Sequence, residues 1–316
     1  MKKNWIGLCL LLGMLSLGFG KSGCLFFWGH DHCQSVFWQL RVPRTLGALW
    51  SGSVFAAAGV LSQGMFRNPL ASPGILGMSS GAAVGVSLAF LSGWVFYLPF
   101  AGLLGAVSVG AFMLFISKKT ASSDRLLLAG VAISGLLGAV QSFILSRLLS
   151  DPHEVATLMQ WMLGGLAVVG YDRLLVGCPL GLLVLPWIPK LCQKLNLSLL
   201  GEERALFLGV EMQRMRMECI GVVALLVSSG VYVCGILPFV GLVVPYIVRL
   251  WVGVRHQTLL VYAVVTGAAV VLMADNLGRW LGGAQEIEAG IVMGLVGSPC
   301  FFWMLKKTSS RGGGWS

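Results

Sequence analysis

Long apolar runs recur along almost the whole chain, broken by short loops in which lysine and arginine collect, and this alternation limits the fold more than any other feature. A helix that crosses a membrane needs about 20 consecutive, mainly apolar residues. Such runs are expected at 4–20, 45–66, 75–93, 95–117, 125–149, 174–192, 217–236, 240–252, 258–281 and 287–305. Their apolar residues are continuous rather than alternating, which excludes a membrane β-barrel. Hydrophobic residues make up 57% of the 316 and charged residues only 11%. Soluble domains carry roughly 25% charged residues, so this chain has too few to cover a water-facing surface. The fold class that follows is an all-α polytopic membrane protein with about ten transmembrane helices. It is read as a single transmembrane domain over 1–316.

Three segments are ambiguous. Lys2 and Lys3 before the first run also describe a signal peptide, but no clean small-x-small cleavage site precedes the polar loop, so a retained helix is expected. Residues 155–170 read as a re-entrant or interfacial helix. In GILPFVGLVVPYIVRL at 235–250, Pro238 and Pro245 remove backbone donors, so a helix end, a turn and a short or broken helix should follow one another.

The formal charge of +10 would suggest nucleic acid in a soluble protein. Here the basic residues lie in short loops between apolar runs, as the positive-inside rule produces. With alternating spans, Lys2, Lys3, Arg67, Lys118, Lys119, Arg125, Lys190, Lys194, Arg204, Arg214, Arg216, Arg255, Lys306, Lys307 and Arg311 share one side. That side is read as the cytoplasm, with both termini inside. Lys21, Arg41, Arg44, Arg147, Arg173 and Arg279 are basic residues on the other side.

Glycine is abundant, with 43 residues, and Gly77, Gly81 and Gly85, like Gly290 and Gly294, form small-xxx-small ladders. In lipid these let helix backbones approach closely, so they read as packing features and not as a substrate site. Asp275 lies inside an apolar run and should be paired or face a wet cavity, with Arg279 one turn later as a local partner. The loop at 195–216 mixes Glu202, Glu203 and Arg204 with Leu199, Leu200, Leu206 and Leu208. It suits either a short helix lying against a cytosolic partner or an amphipathic helix at the membrane interface. Cys24 and Cys33 share a polar loop with His30, Asp31 and His32 and could form a disulfide in an oxidising compartment. Their spacing does not match a zinc site, and no metal or cofactor is expected. GKS at 20–22 is not a phosphate loop, because Leu15 stands where its first glycine would have to be. If ATP drives this protein, another chain binds it.

The segments RVPRTLGAL, FRNPLASPGILGMSSGAAVG, SDRLLLAGVAIS, LMQWMLGGL, LGEERALFLG, FVGLVVPYIVRL, ADNLGRWL and GIVMGLVGSP, in this order, resemble the FecCD-type permeases of bacterial ABC importers. Members of that family carry iron–siderophore complexes, haem or cobalamin. The resemblance implies a ten-helix permease of the bacterial inner membrane, paired with a second copy as a homodimer or with a similar chain as a heterodimer. Two cytosolic ATPases would bind on one side and a periplasmic or lipid-anchored substrate-binding protein on the other. It assigns Gly201, Glu202, Ala205 and Gly209 to the ATPase-coupling segment, which favours the partner reading of the 195–216 loop. It assigns Asn68, Leu70, Ser123 and Asp124 to the cytoplasmic gate. As in the cobalamin branch, Arg41, Arg44 and Arg279 would meet acidic residues of the binding protein, the alternative being that Arg41 and Arg44 are snorkelling interfacial anchors.

Tyr246, the Arg255-His256-Gln257 triplet and Glu288 depart from the family's usual residues. The first two could alter coupling, and Glu288 adds a negative charge at the external mouth. The expected function is a transport subunit without enzymatic activity, moving an iron chelate by alternating access, with cobalamin as the alternative cargo. A secondary transporter would need intramembrane carboxylates as ion sites, for which Asp275 is the one candidate. A membrane scaffold is the third class.

Overall fold

The computed structural model describes residues 31–94, 97–119, 122–148, 152–282 and 286–309. Among these every regular element is helical. We number the helices α1 (Val42–Phe66), α2 (Met78–Leu91), α3 (Leu98–Lys119), α4 (Ser123–Leu148), α5 (Pro152–Met162), α6 (Tyr171–Leu182), α7 (Ile188–Ser198), α8 (Glu202–Phe207), α9 (Met212–Cys234), α10 (Val240–Val252), α11 (His256–Leu281) and α12 (Ala289–Ser309). Six helical segments are long and apolar enough to cross a membrane: Gln34–Phe66, Leu98–Lys119, Asp124–Arg147, Met212–Cys234, His256–Leu281 and Ala289–Lys307. Met78–Leu91 and Val240–Val252 are shorter apolar helices. The first expected span, and the thiol pair Cys24–Cys33 as a pair, lie outside the described residues.

Two expected spans take a different form. The run at 174–192 is not one helix: α6 ends at Leu182, five turn residues follow, and α7 begins at Ile188. Pro179, Pro186 and Pro189 each lack an N–H, and the bonds that remain, such as Leu185 N to Leu182 O at 3.1 Å, tighten the chain to a three-residue spacing. The second difference lies at the start of α1. The expected boundary at residue 45 is continuous helix from Gln34, with a π-helical turn at Phe37–Arg41. Arg41 and Arg44 therefore belong to a helix and not to a loop. Pro43, which has no N–H to donate, follows directly on that π-helical turn, where the regular bonding ladder is already interrupted.

The helices α1 and α9 form the buried centre, packed on each other and against α3, α6, α10 and α11. Lipid offers no hydrophobic drive between helices, so close backbone contact and polar links have to supply the adhesion. At Gly52 a Cβ would overlap the Gly267 carbonyl of α11, and at Gly59 it would overlap the Gly241 carbonyl of α10. Polar links complete the joints. Trp50 Nε1 donates to Ser229 Oγ at 2.9 Å, and Ser229 donates to the Gly177 carbonyl at 2.7 Å, joining α1, α9 and α6. Gln63, fully buried, donates to the Leu242 carbonyl at 3.0 Å and accepts from Arg249 at 2.9 Å, joining α1 to α10.

The ladder at Gly81 and Gly85 is a packing device as expected, set against Gly105 and Ala101 of α3. The stretch after Cys234 follows its reading too: α9 ends, Phe239 turns with φ 63°, and α10 runs on through Pro245. Residues 155–170 hold the rest of α5 and a short 3-10 turn, Leu166–Val168. Outside the centre, α4 and α12 present exposed apolar side chains, among them Leu128, Leu136, Phe143, Leu295, Val296 and Phe302.

Candidate functional site

Chemistry-bearing side chains collect at the two ends of this bundle. The start of α1 meets the close of α11, so the two helices run antiparallel. The start of α11 lies instead beside α7, where the His256 amide donates to Asn196 Oδ1 at 2.8 Å. Asp275 lies nineteen positions after His256 along α11, which at 1.5 Å per residue puts the two ends roughly 30 Å apart.

At the first end Asp275 is 2% exposed and its carboxylate is gripped by Arg44. Arg44 Nη2 donates to Oδ1 at 2.8 Å, and Nε lies 3.0 Å from Oδ2 and 3.1 Å from Oδ1. The other arm of the same guanidinium, Nη1, donates to Glu286 Oε2 at 2.6 Å. Arg279 Nη1 stands 3.8 Å from Asp275 Oδ2, so two arginines flank one buried carboxylate. The planar fork of arginine is what allows one side chain to bridge two acids, which a lysine ammonium would do poorly. Arg41 is buried just before this cluster.

The sequence required a partner for Asp275, and it has one. The nearer of the two is Arg44, 231 residues away, and not the local Arg279. Nothing in a single sequence could select that pairing. Beside the cluster, Gln160 Nε2 donates to Glu288 Oε1 at 2.9 Å. Burial pushes the Glu288 carboxyl above its ordinary pKa, an effect that the Gln160 bond and the Arg44 charge partly offset.

At the other end α8 is a six-residue helix between two glycines with positive φ, Gly201 at +105° and Gly209 at +81°. Neither glycine has a neighbour within 4 Å of where a Cβ would stand, so backbone conformation and not crowding favours glycine there. Ala205 is fully buried and anchors the helix, whereas Leu206, Leu208 and above all Phe207, 91% exposed, point outward. Glu202 accepts a bond from Arg216 of α9 at 2.6 Å. The four positions Gly201, Glu202, Ala205 and Gly209 thus form one compact unit.

The proposed gate positions are dispersed by comparison. Asn68 follows the left-handed Arg67 that closes α1, and its Oδ1 accepts from the Leu70 amide at 2.9 Å. Leu70 packs near Leu242, Val243, Tyr246 and Met304. Asp124 is exposed on the first turn of α4, which Ser123 begins, and among the described residues no hydrogen bond or ion pair joins it to Asn68 or Leu70. Of the unusual residues, Tyr246 is buried edge-on against Trp303, with ring centroids 6.5 Å apart, and His256 is wholly buried against Asn196. Among the described residues no group of His, Cys, Asp and Glu could hold a metal ion.

Antiparallel apolar helices, backbone-to-backbone glycine contacts and a buried ion cluster define a polytopic helical membrane protein. The sequence matches the FecCD transport family over residues 6–307, and the chain belongs to that family. It is 35% identical to the hemin transport system permease protein HmuU of Yersinia pestis, over 97% of this chain and 96% of that one. It is also 35% identical to the vitamin B12 import system permease protein BtuC of Klebsiella pneumoniae, over 88% of this chain and 85% of that one. A solved metal-chelate type ABC transporter in an inward-facing conformation superimposes with a TM-score of 0.87 at 33% identity, covering 97% of this chain and all of that one. The chain is accordingly a multi-pass ABC importer permease subunit.

Proposed function

We propose that this chain, as one transmembrane permease domain, moves an iron chelate (haem or a siderophore complex) across a bacterial inner membrane by alternating access, with cobalamin as the second candidate. The observation that carries the reading is α8, a glycine-bracketed helix that projects Phe207 away from its own chain at the end remote from the ion cluster. An exposed aromatic set among leucines and charges suits a protein partner. The partner that fits is an ATPase, because the chain carries no phosphate loop of its own. Haem and metal chelates are favoured by the named relative HmuU and by the metal-chelate type neighbour, cobalamin by BtuC.

A second copy of the chain would cover the exposed faces of α4 and α12. Gly135, Gly138 and Gly294 lie on those helices with open space beside them, as close helix approach requires. The binding protein would dock at the end that holds Arg41, Arg44 and Arg279, with that end outside and both termini in the cytoplasm; because the three are largely buried, its acids would have to draw Arg44 and Arg279 from their own-chain partners. Asn68, Leu70, Ser123 and Asp124 would line the cytoplasmic gate. An ion-driven transporter fits less well, since Asp275 is occupied by Arg44.

The test uses proteoliposomes holding the chain with its cognate ATPase and binding protein, offered labelled haemin, ferric citrate or cobalamin. Uptake of one chelate that needs ATP and survives a proton ionophore is expected. Uptake abolished by the ionophore, or ATP hydrolysis by the purified chain alone, would overturn the assignment.

A further inference from the structure

Arg216 lies in the second turn of α9 with its side chain only 4% exposed, yet its Nη2 donates to a carboxylate that is 57% exposed, Glu202 at the start of α8. A buried cation is thus tied to a surface helix. The rest of α8 is weakly held. Ala205 is its one buried residue, Val210 tucks in just beyond it, and both flanking glycines adopt positive φ in open space. It is a short helix between two glycines that no neighbour crowds.

The helix it is tied to is the reverse. α9 is mostly buried and spans the bundle against α1, α3 and α6. Its first turns also hold the neighbouring elements at this end. Gln213 donates to the Lys118 carbonyl of α3 at 2.9 Å, and Glu218 pairs with Lys194 of α7.

We propose that Arg216 is a positioning residue, the strut through which displacement of α8 is passed into α9 and from there to the bundle. The proposal rests on reading α8 as the ATPase contact. The physical reason is directional. Packing at Ala205 resists compression but gives little grip against sliding or withdrawal, because a methyl group offers no oriented bond. A short charge-assisted hydrogen bond from a fixed, buried donor resists all three. With joints at Gly201 and Gly209 that allow α8 to move as a unit, the Arg216–Glu202 bond ensures that α9 moves with it.

The experiment compares uptake with ATP hydrolysis in the same proteoliposomes, using the chelate that the wild-type complex accumulates and normalising to assembled complex. Arg216→Met keeps an unbranched, apolar stem in the buried site but removes the bond. It should lower uptake per ATP by about tenfold, within the ordinary range of coupling between sites. Arg216→Lys, which keeps the charge, should recover part of that loss. Adding Glu202→Gln to Arg216→Met should cost nothing further, as expected for two residues acting through one bond. An unchanged ratio in Arg216→Met, or a loss confined to the yield of complex, would overturn the strut. The underlying reading is tested separately by cross-linking from Phe207→Cys. No capture of the ATPase sinks that reading, whereas capture with an unchanged ratio sinks only the strut.

Discussion

At the end where α1 meets α11, Arg44 directs its guanidinium to two carboxylates of its own chain; at the other end Arg216 reaches a carboxylate that is more than half exposed, and Phe207 stands almost wholly in the open. Both ends contain an arginine with its charge compensated, but the compensation does different things. Asp275 is 2% exposed, so its pairing with Arg44 joins two long helices that neither hydration nor salt can readily reach. Glu202 belongs to a six-residue helix with one buried residue, so its pairing fastens an exposed piece to a buried one. The first arrangement locks the bundle and the second equips it to respond.

The sharpest way to break this contrast is to remove the buried acid. Asp275→Ala leaves Arg44 and Arg279 without their shared buried partner, and loss of one member of a buried pair costs about 3–5 kcal/mol. Thermal unfolding of the purified protein in detergent should show that loss directly, and a change within error would mean the cluster does not lock the helices. Removing the outer acid is a milder probe. Glu286 is 42% exposed, so Glu286→Ala should cost no more than about 1 kcal/mol, as surface pairs do. A cost equal to that of Asp275→Ala would show that the two acids act as one unit.

At the coupling end the expectation inverts. Phe207→Asp should change stability by less than about 0.5 kcal/mol, like other exposed substitutions, while abolishing co-purification with the ATPase. Destabilisation with binding intact would mean Phe207 is covered by its own chain. The smallest effect is expected at Glu288. Burial raises its pKa, so the folded state disfavours the ionised form. For an acid with a raised folded pKa, stability is fullest below the unfolded value and declines as pH rises through the folded one. Glu288→Gln keeps an acceptor for Gln160 and should flatten that decline, giving a slight gain near neutral pH and none in acid. A loss at neutral pH would show that the negative charge itself is needed.

Some of this contrast was legible in the residues. A lone acid inside an apolar run had to be compensated, and Asp275 is. Charges interleaved with leucines over 195–216 marked a short helical element, against a partner or at the membrane interface, and α8 lies within it. The partners were not legible. Arg44 and Asp275 are 231 residues apart, and Glu202 was as open to Arg204 or Arg214 as to Arg216. The run at 174–192 misled because apolar content hides a break, although Pro179, Pro186 and Pro189 announced it.

The sequence by itself determined that this chain is a bundle of membrane helices, because a shortage of charge and a surplus of long apolar runs leave a polypeptide no other solvent. It also placed the chain in a family, since eight ordered segments are matched from one end to the other. Only the tertiary structure decided which charges neutralise which and which helix is buried and which is exposed. Those outcomes depend on distances between residues remote in the chain, which packing at contacts such as Gly52 with Gly267 sets and no local pattern encodes.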